Sequence, residues 1–399
     1  MIELWLLELA KGIGRLFLHP LLYWVIGLTL FASILRIKKE RANFGMKIFH
    51  VFSEWRGTWV VSLLFGCLLS LLMVGAGVVM PYGLVLLWTI VIVLLSITAR
   101  LTWLSAGYTL SATFFIMTFM PIERWSFLPA DWYNGLAQTS MGFLPIMIGL
   151  LLFVEAILLK RHYANESFPQ YTSSGRGKVV GQHMARKLAI MPAFVLIPGG
   201  AIESFAPWWP LFSIHDQSFG LMLVPFVFGY ELVVKGMPPQ QATNQLGNYV
   251  LLLAISVIGL SIGGLYMPIL SVSAVVLALI GRMGSSFAVK WQDSGRNPYF
   301  TLKPDGIPVL GVIPYSTADK MGLLVGEQIE QVNNIPVTNE EEFHQAMQTN
   351  RAFCKITVRD QNGEIRFTQS AMYEDDYYEL GLVFVKDRHN HQQGMNIVQ

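Results

Sequence analysis

Gly259-Leu260-Ser261-Ile262-Gly263 has the spacing of a serine-nucleophile elbow, in which glycines let a strand turn sharply into a helix and expose the hydroxyl. That chemistry also needs a general base and an oxyanion hole. Here the five residues lie in a long apolar run with no histidine in it. They equally form G-x-x-x-G, whose small residues let two membrane helices approach closely, and packing through Gly259 and Gly263 is the reading taken forward. None of the eight histidines begins H-E-x-x-H, the spacing that sets two imidazoles around zinc on one helical face. Four ionisable residues, Arg100, Glu155, Glu203 and Glu231, fall in or at the edges of apolar runs, where they would mark a transport path or a structural pair. Each lies near the end of its run, and for Glu231 a pair with Lys235 at i,i+4 is the simpler expectation. No catalytic residue, metal ligand or cofactor follows from these patterns.

The elements that carry these residues are apolar. Of 399 residues 53% are hydrophobic and 14% charged, against roughly a quarter charged in a soluble domain. From Gly57 to Ile122 the only formal charge is Arg100, which leaves room for three crossings at about 20 apolar residues each. Nine apolar runs stand out, at 21–36, 58–79, 84–100, 101–120, 141–159, 189–205, 218–235, 247–265 and 267–281, the sixth interrupted by Pro192 and Pro198. The expected architecture is therefore a polytopic α-helical membrane domain of eight to nine segments over 21–281. It is preceded by an amphipathic segment, 1–20, and followed by a linker, 282–299, a globular domain, 300–388, and a tail, 389–399.

Lys and Arg gather in 36–56 and 160–187, whereas 121–138 and 198–217 are almost free of them and carry Trp125, Trp132, Trp208 and Trp209. Positive loops stay on the cytoplasmic side and tryptophans favour the interface, so Arg282 and all that follows are expected in the cytoplasm of a multi-pass protein. Residues 1–17 carry Glu3, Glu8, Lys11 and Arg15 on one side and suit a helix lying in the bilayer interface. The polar stretch Thr172–Ala185 reads as a flexible loop. A net charge of +2 gives no reason to expect nucleic acid as a partner.

Globular patterning begins after Pro298. Pro308–Ile313 reads as a strand, Ser316 as the cap of a short helix ending at Gly322, and Gln328–Val332 with Ile335–Val337 as a hairpin about Asn333-Asn334. Thr338 and Glu341 form a capping box for a helix over 340–349. Phe353–Arg359 and Glu364–Gln369 make a second hairpin about Asn362-Gly363.

The stretch Val309–Met347, with its Gly-Leu, Gly-acid-x-Ile, Asn-Asn turn and capped helix, resembles a bacterial PDZ domain: an α/β partial barrel with two helices, here in the circularly permuted order. Such a domain holds a peptide as an added strand. The resemblance implies that Leu380, Gly381 and Leu382 receive a peptide terminus, that Leu382, Val383 and Phe384 pair with the peptide, and that His344 and Met347 form the facing wall. The alternative is that this last strand faces the core. Glu374, Asp375, Asp376 and Glu379 crowd the proposed loop and would disfavour a free carboxylate terminus.

A multi-span block ending in one such domain, with a Lys-Lys-Glu-Arg-rich first loop and aromatic outer loops, resembles the MinJ family of Gram-positive rod-shaped bacteria. The resemblance implies a non-enzymatic membrane adaptor for division-site selection at septa and poles. Its implied partners are a DivIVA-type polar protein, MinD with MinC behind it, membrane proteins of the division machinery, the lipid bilayer and a second copy of the chain. A protease regulated by its PDZ domain, or a transporter component, is the competing expectation.

Overall fold

The apolar runs fold in two different ways. In the computed structural model, which describes residues 2–120, 136, 139–175, 177–204, 206, 208–212, 218–350, 353–371 and 380–385, most become helices. After α1 (Ile2–Phe17) come α2 (Pro20–Phe44), α3 (Trp59–Gly75), α4 (Tyr82–Ser96), α5 (Ala106–Phe119), α6 (Phe143–Lys160), α7 (Pro239–Gly264) and α8 (Pro268–Ser294). Among the described residues four of these, α2, α6, α7 and α8, are long and apolar enough to cross a membrane, while α3, α4 and α5 are shorter. Trp125 and Trp132 of the expected outer belt lie outside the described residues.

The runs at 189–205 and 218–235 are not helices. They belong to β2 (Val179–Ile202) and β3 (Phe219–Val234), paired antiparallel in unbroken register from His183↔Val234 to Pro198↔Phe219. At about 3.3 Å per residue this hairpin extends about 50 Å, longer than the roughly 30 Å of hydrocarbon in a bilayer. Hydropathy adds up side-chain transfer energies and is blind to backbone geometry, which is why these two runs read as helical spans. The composition itself favours strands: Pro192, Pro198 and Pro225 would break helices, and Val, Phe and Tyr crowd 219–234. The supposedly flexible stretch Thr172–Ala185 is also mostly strand, since β1 (Phe168–Ser173) pairs with the start of β2.

A strand among apolar helices must find partners for its outer edge. The Phe194 N–H, turned away from β3, donates to Ser70 Oγ of α3 at 2.8 Å. Leu196 exchanges backbone bonds with Val78 and Met80. Arg15 donates to the Leu221 carbonyl at 2.5 Å and Thr102 to that of Glu231 at 2.9 Å. Outward and inward positions alternate along an antiparallel ladder. Pro192, Pro198 and Pro225 therefore fall in the outward set with Phe194, Leu196 and Leu223, where an N–H would face an edge, and proline has none to leave unpaired.

Helix α1 crosses this hairpin, because Glu8, Gly12 and Arg15 all meet the stretch 220–221. Of its polar residues Glu8 is buried and Arg15 half-buried against the hairpin, Glu3 and Lys11 are exposed, and so are Leu4, Leu6, Leu9, Ile13 and Phe17. The amphipathic pattern was legible, but Glu8 and Arg15 of its polar side serve the strand edge.

Helix α8 runs on to Ser294, so most of the expected linker 282–299 is helical. Its end is held by Asp293, whose carboxylate accepts from the backbone N–H groups of Lys235 and Gly236. The C-terminal sheet-rich region follows: β4 (Ile307–Val312), α9 (Thr317–Lys320), β5 (Gln328–Val332), β6 (Ile335–Pro336), α10 (Glu340–Gln348), β7 (Phe353–Arg359), β8 (Ile365–Ala371) and β9 (Leu382–Phe384). The sheet order is β8-β7-β5-β4-β9, with β6 on β5. Asn333 and Asn334 both take positive φ, 51° and 65°, as a tight hairpin of this kind requires. The α10 cap sits one residue later than expected: Asn339 Oδ1 accepts from the Glu342 N–H, and Glu342 in turn accepts from Thr338 N.

Gly66 is where α3 meets β2, and a Cβ there would collide with the backbone carbonyl of Pro192, whereas a Cβ on Gly75 of the same helix meets nothing. Gly66→Ala is therefore expected to lower the thermal unfolding midpoint of the detergent-purified protein. Gly75→Ala should leave it unchanged or raise it, by up to about 1 kcal/mol of helix propensity.

Candidate functional site

The α2–α3 loop, which docks on the sheet-rich region, is held by charges that are almost completely buried. Arg36 of α2 is bonded to Glu40 at 2.6 Å and to Glu54 at 2.9 Å, all three at most 2% exposed. The guanidinium also donates to the His50 carbonyl at 2.7 Å and lies over the Phe168 ring at 4.5 Å. Glu40 accepts from the N–H groups of Ile48 and Phe49, and this fixes the α2–α3 loop so that both side chains enter the core of the sheet-rich region. Beside this cluster Lys187 pairs with Glu166 at 2.8 Å and Arg186 with Glu231 at 3.4 Å.

The expected Glu231–Lys235 pair does not form, since on a strand residues four apart stand far along the chain and Arg186 is directly across the ladder. Glu155 is fully buried and bonded to Arg282 at 2.9 Å and to Ser105 at 2.5 Å, away from Lys160. Arg100 and Glu203 are exposed. The pattern Arg36-x-x-x-Glu40 was open to an i,i+4 reading. Glu54, Glu166 and Lys187 carry no local signal, because their partners lie far away in sequence.

Direct contacts complete the docking. Gly181 N donates to Phe300 O at 3.0 Å, Asn165 bonds Leu323 O and Val325 N, each at 2.9 Å, and the Tyr171 hydroxyl donates to Phe384 O at 2.7 Å. His183 is buried in this joint, with Ser167 Oγ at 2.9 Å and the Phe300 ring at 4.6 Å. Burial pushes its pKa down to about 3.

Strand β9 forms one edge of the sheet. The Ile313 N–H donates to Gly381 O, so Gly381 and Val383 turn their backbones toward β4 while Leu382 and Phe384 turn theirs outward. The Phe384 carbonyl is taken by Tyr171, as above. Gly381 has φ of 90°, and any Cβ there would strike Ser316. Leu380, Val383, Phe384 and Val385 are buried, Leu382 is half-buried, and Phe384 stacks edge-on against Phe343 of α10 at 4.9 Å. On α10, Met347 is 4% exposed while His344 is half-exposed, 4.0 Å from Glu340. The expected peptide-binding residues therefore divide between a backbone edge at Leu382 and side chains that mostly fill the core. The acidic residues 374–376 and 379 lie outside the described residues.

In α7, Ser261 Oγ donates to the Val257 carbonyl of the preceding turn at 2.6 Å. Gly259 faces open space and Gly263 meets only Leu270, whereas the close approach to α8 falls at Gly264, against Ser271. The tight turn at 265–267 draws those two residues together.

The chain is 34% identical over 383 residues to the cell division topological determinant MinJ of Bacillus subtilis, covering 96% of each chain. It is 24% identical over 384 residues to the probable cell division topological determinant MinJ of Lacticaseibacillus paracasei, covering 91% of this chain and 95% of the relative, and the same figures hold for that of Lacticaseibacillus casei. No family model matches. No solved structure matches.

Removing Arg36 strands two buried carboxylates, so Arg36→Gln is expected to destabilise by about 3–5 kcal/mol. Arg359→Gln, in the half-exposed pair with Glu330, should cost at most about 1 kcal/mol. Chemical or thermal unfolding of the full-length variants measures the difference. His183 is neutral when folded down to about pH 3 and protonates near 6.5 when unfolded, so its contribution is whole above about 6.5 and is lost as pH falls from there toward 3. The unfolding midpoint should drop between pH 7.5 and 5.5, and His183→Gln should flatten that drop.

Proposed function

Because the chain belongs to the MinJ family of cell-division topological determinants, we propose that it is a membrane adaptor in division-site selection, working without a catalytic step of its own. In this reading it joins a DivIVA-type polar protein to MinD, and through MinD to MinC, and meets division-machinery proteins in the membrane at septa and poles. The observation that carries it is the similarity to MinJ over almost the whole length of both chains.

The sheet-rich region serves in this reading as a cytoplasmic PDZ domain in circularly permuted order. A partner segment would add as a strand along β9, using the outward backbone of Leu382, with His344 on the facing wall and the Leu380–Gly381 turn at its end. The phenolic proton of Tyr171 already bonds the Phe384 carbonyl, which supports pairing that starts at Leu382. An internal segment suits this edge as well as a free terminus does. The bonded joint supports the adaptor role, because a partner held by the sheet-rich region would be registered against the membrane block through Gly181, Asn165 and Tyr171. Gly259, exposed on α7, is available for contact between copies of the chain.

Leu382→Pro removes one outward N–H and keeps the ladder contacts of Gly381 and Val383. Two-hybrid and co-purification assays of the full-length variant should show loss of at least one of the three partner classes, with membrane insertion and unfolding midpoint kept. Retention of every partner would overturn the groove reading while leaving the adaptor reading in place.

A further inference from the structure

Between the 3-10 turn Leu101–Leu104, β3 and α8 lies a cleft of about 450 Å³ whose polar lining is rich in donors. Arg100 and Lys290 stand at it, both exposed and neither in an ion pair among the described residues. The Ser286 hydroxyl accepts from Arg282 Nη1 and so keeps its own proton for an acceptor, and the Tyr108 hydroxyl is a second such donor. The one carboxylate in the lining, Glu231, is neutralised by Arg186 at 3.4 Å. The local balance is thus positive, and the groups on offer want an oxygen-rich anion.

What flanks the cleft limits the anion's source. Trp103, Met283 and Phe287 line it and are 39%, 59% and 70% exposed, and Trp291 follows one turn on at 73%. Large apolar side chains exposed on a membrane-spanning helix suit acyl chains. The cleft lies toward the end of the membrane block from which the sheet-rich region projects, since Glu231 and Lys290 approach the chain ends held by Asp293. A basic recess opening onto an apolar flank near the membrane surface fits a phosphodiester carried on lipid tails better than a free phosphate.

We propose that this cleft binds the headgroup of an anionic phospholipid, with Arg100 and Lys290 on the phosphate and Trp103 and Phe287 along the acyl chains. The site is independent of the β9 edge, so its failure would leave the adaptor reading untouched.

Native mass spectrometry of the full-length protein in detergent, titrated with phosphatidylglycerol or phosphatidylcholine, provides the test. Phosphatidylglycerol should be retained in preference. The double variant Arg100→Gln/Lys290→Gln should bind it about 10- to 30-fold more weakly, the size expected for removing two basic groups beside an anionic headgroup. Lys38→Gln/Lys39→Gln, which removes two exposed charges on α2, should leave binding unchanged. The charge-keeping pair Arg100→Lys/Lys290→Arg should retain it and guards against a misfolded double variant. Unchanged lipid binding in the glutamine variant, or equal loss in the charge-keeping one, would overturn the proposal. So would displacement by inorganic phosphate as effective as by lipid, which would assign the cleft to a soluble anion.

Discussion

A β-hairpin laid among apolar helices must satisfy its own edges, and much of this structure answers that requirement. In hydrocarbon an unpaired N–H or carbonyl costs several kcal/mol, and an open sheet has two rows of them. Here every kind of remedy is used. Ser70 accepts from Phe194, Arg15 and Thr102 donate to carbonyls on β3, and the 78–80 segment pairs with Leu196. Proline stands where no partner is supplied, at 192, 198 and 225. The closeness of Gly66 to Pro192, and of Gly229 to the Leu101 carbonyl, follows from the same need, because helices and turns must lie against the backbone itself.

The hairpin also ties the two halves of the molecule together. One end lies beneath α1, while the other joins β1 as a three-stranded sheet and meets the C-terminal region through Gly181 and Phe300. At that crossing Arg36, Glu40, Glu54, Glu166 and Lys187 are withdrawn from water as mutually bonded pairs. Burying such charges is costly, so their value lies less in net stability than in fixing one course of the α2–α3 loop, whose Ile48 and Phe49 enter the core of the C-terminal region. The consequence is mechanical: β9 is tied through Tyr171 to β1, which pairs with the hairpin, so the C-terminal sheet does not swing from a linker.

Much of the C-terminal region was legible in sequence because its signals are local. Asn333-Asn334 demands a left-handed turn, Ser316 caps the next few residues, and alternation over 353–369 marks a hairpin. The cap of α10 slipped by a single residue, from Thr338 to Asn339, since both side chains can serve and geometry selects between them. The membrane block was legible as apolar but not as helix or strand. A window over 218–235 scores Val, Phe and Leu alike in either conformation, and the prolines that argue for a strand also suit a broken helix. Of the expected binding residues, Gly381 was readable as a turn and Leu382 as a strand. Which face of β9 would meet solvent depended on its register with β4, which no local pattern encodes.

Composition and local pattern by themselves determined that this chain carries apolar runs long enough to cross a membrane, that a small α/β unit follows them, and that it lacks the motif spacings of a zinc protease. These properties depend on transfer energies and on interactions within a few residues. Only the tertiary structure decided that two apolar runs pair as strands, that Glu155 belongs to Arg282 and Glu231 to Arg186, and that Glu8 and Arg15 of α1 turn toward β3. Each of those outcomes compares partners distant in sequence for a backbone group or charge that water no longer serves, and that comparison exists only once the chain has closed around it.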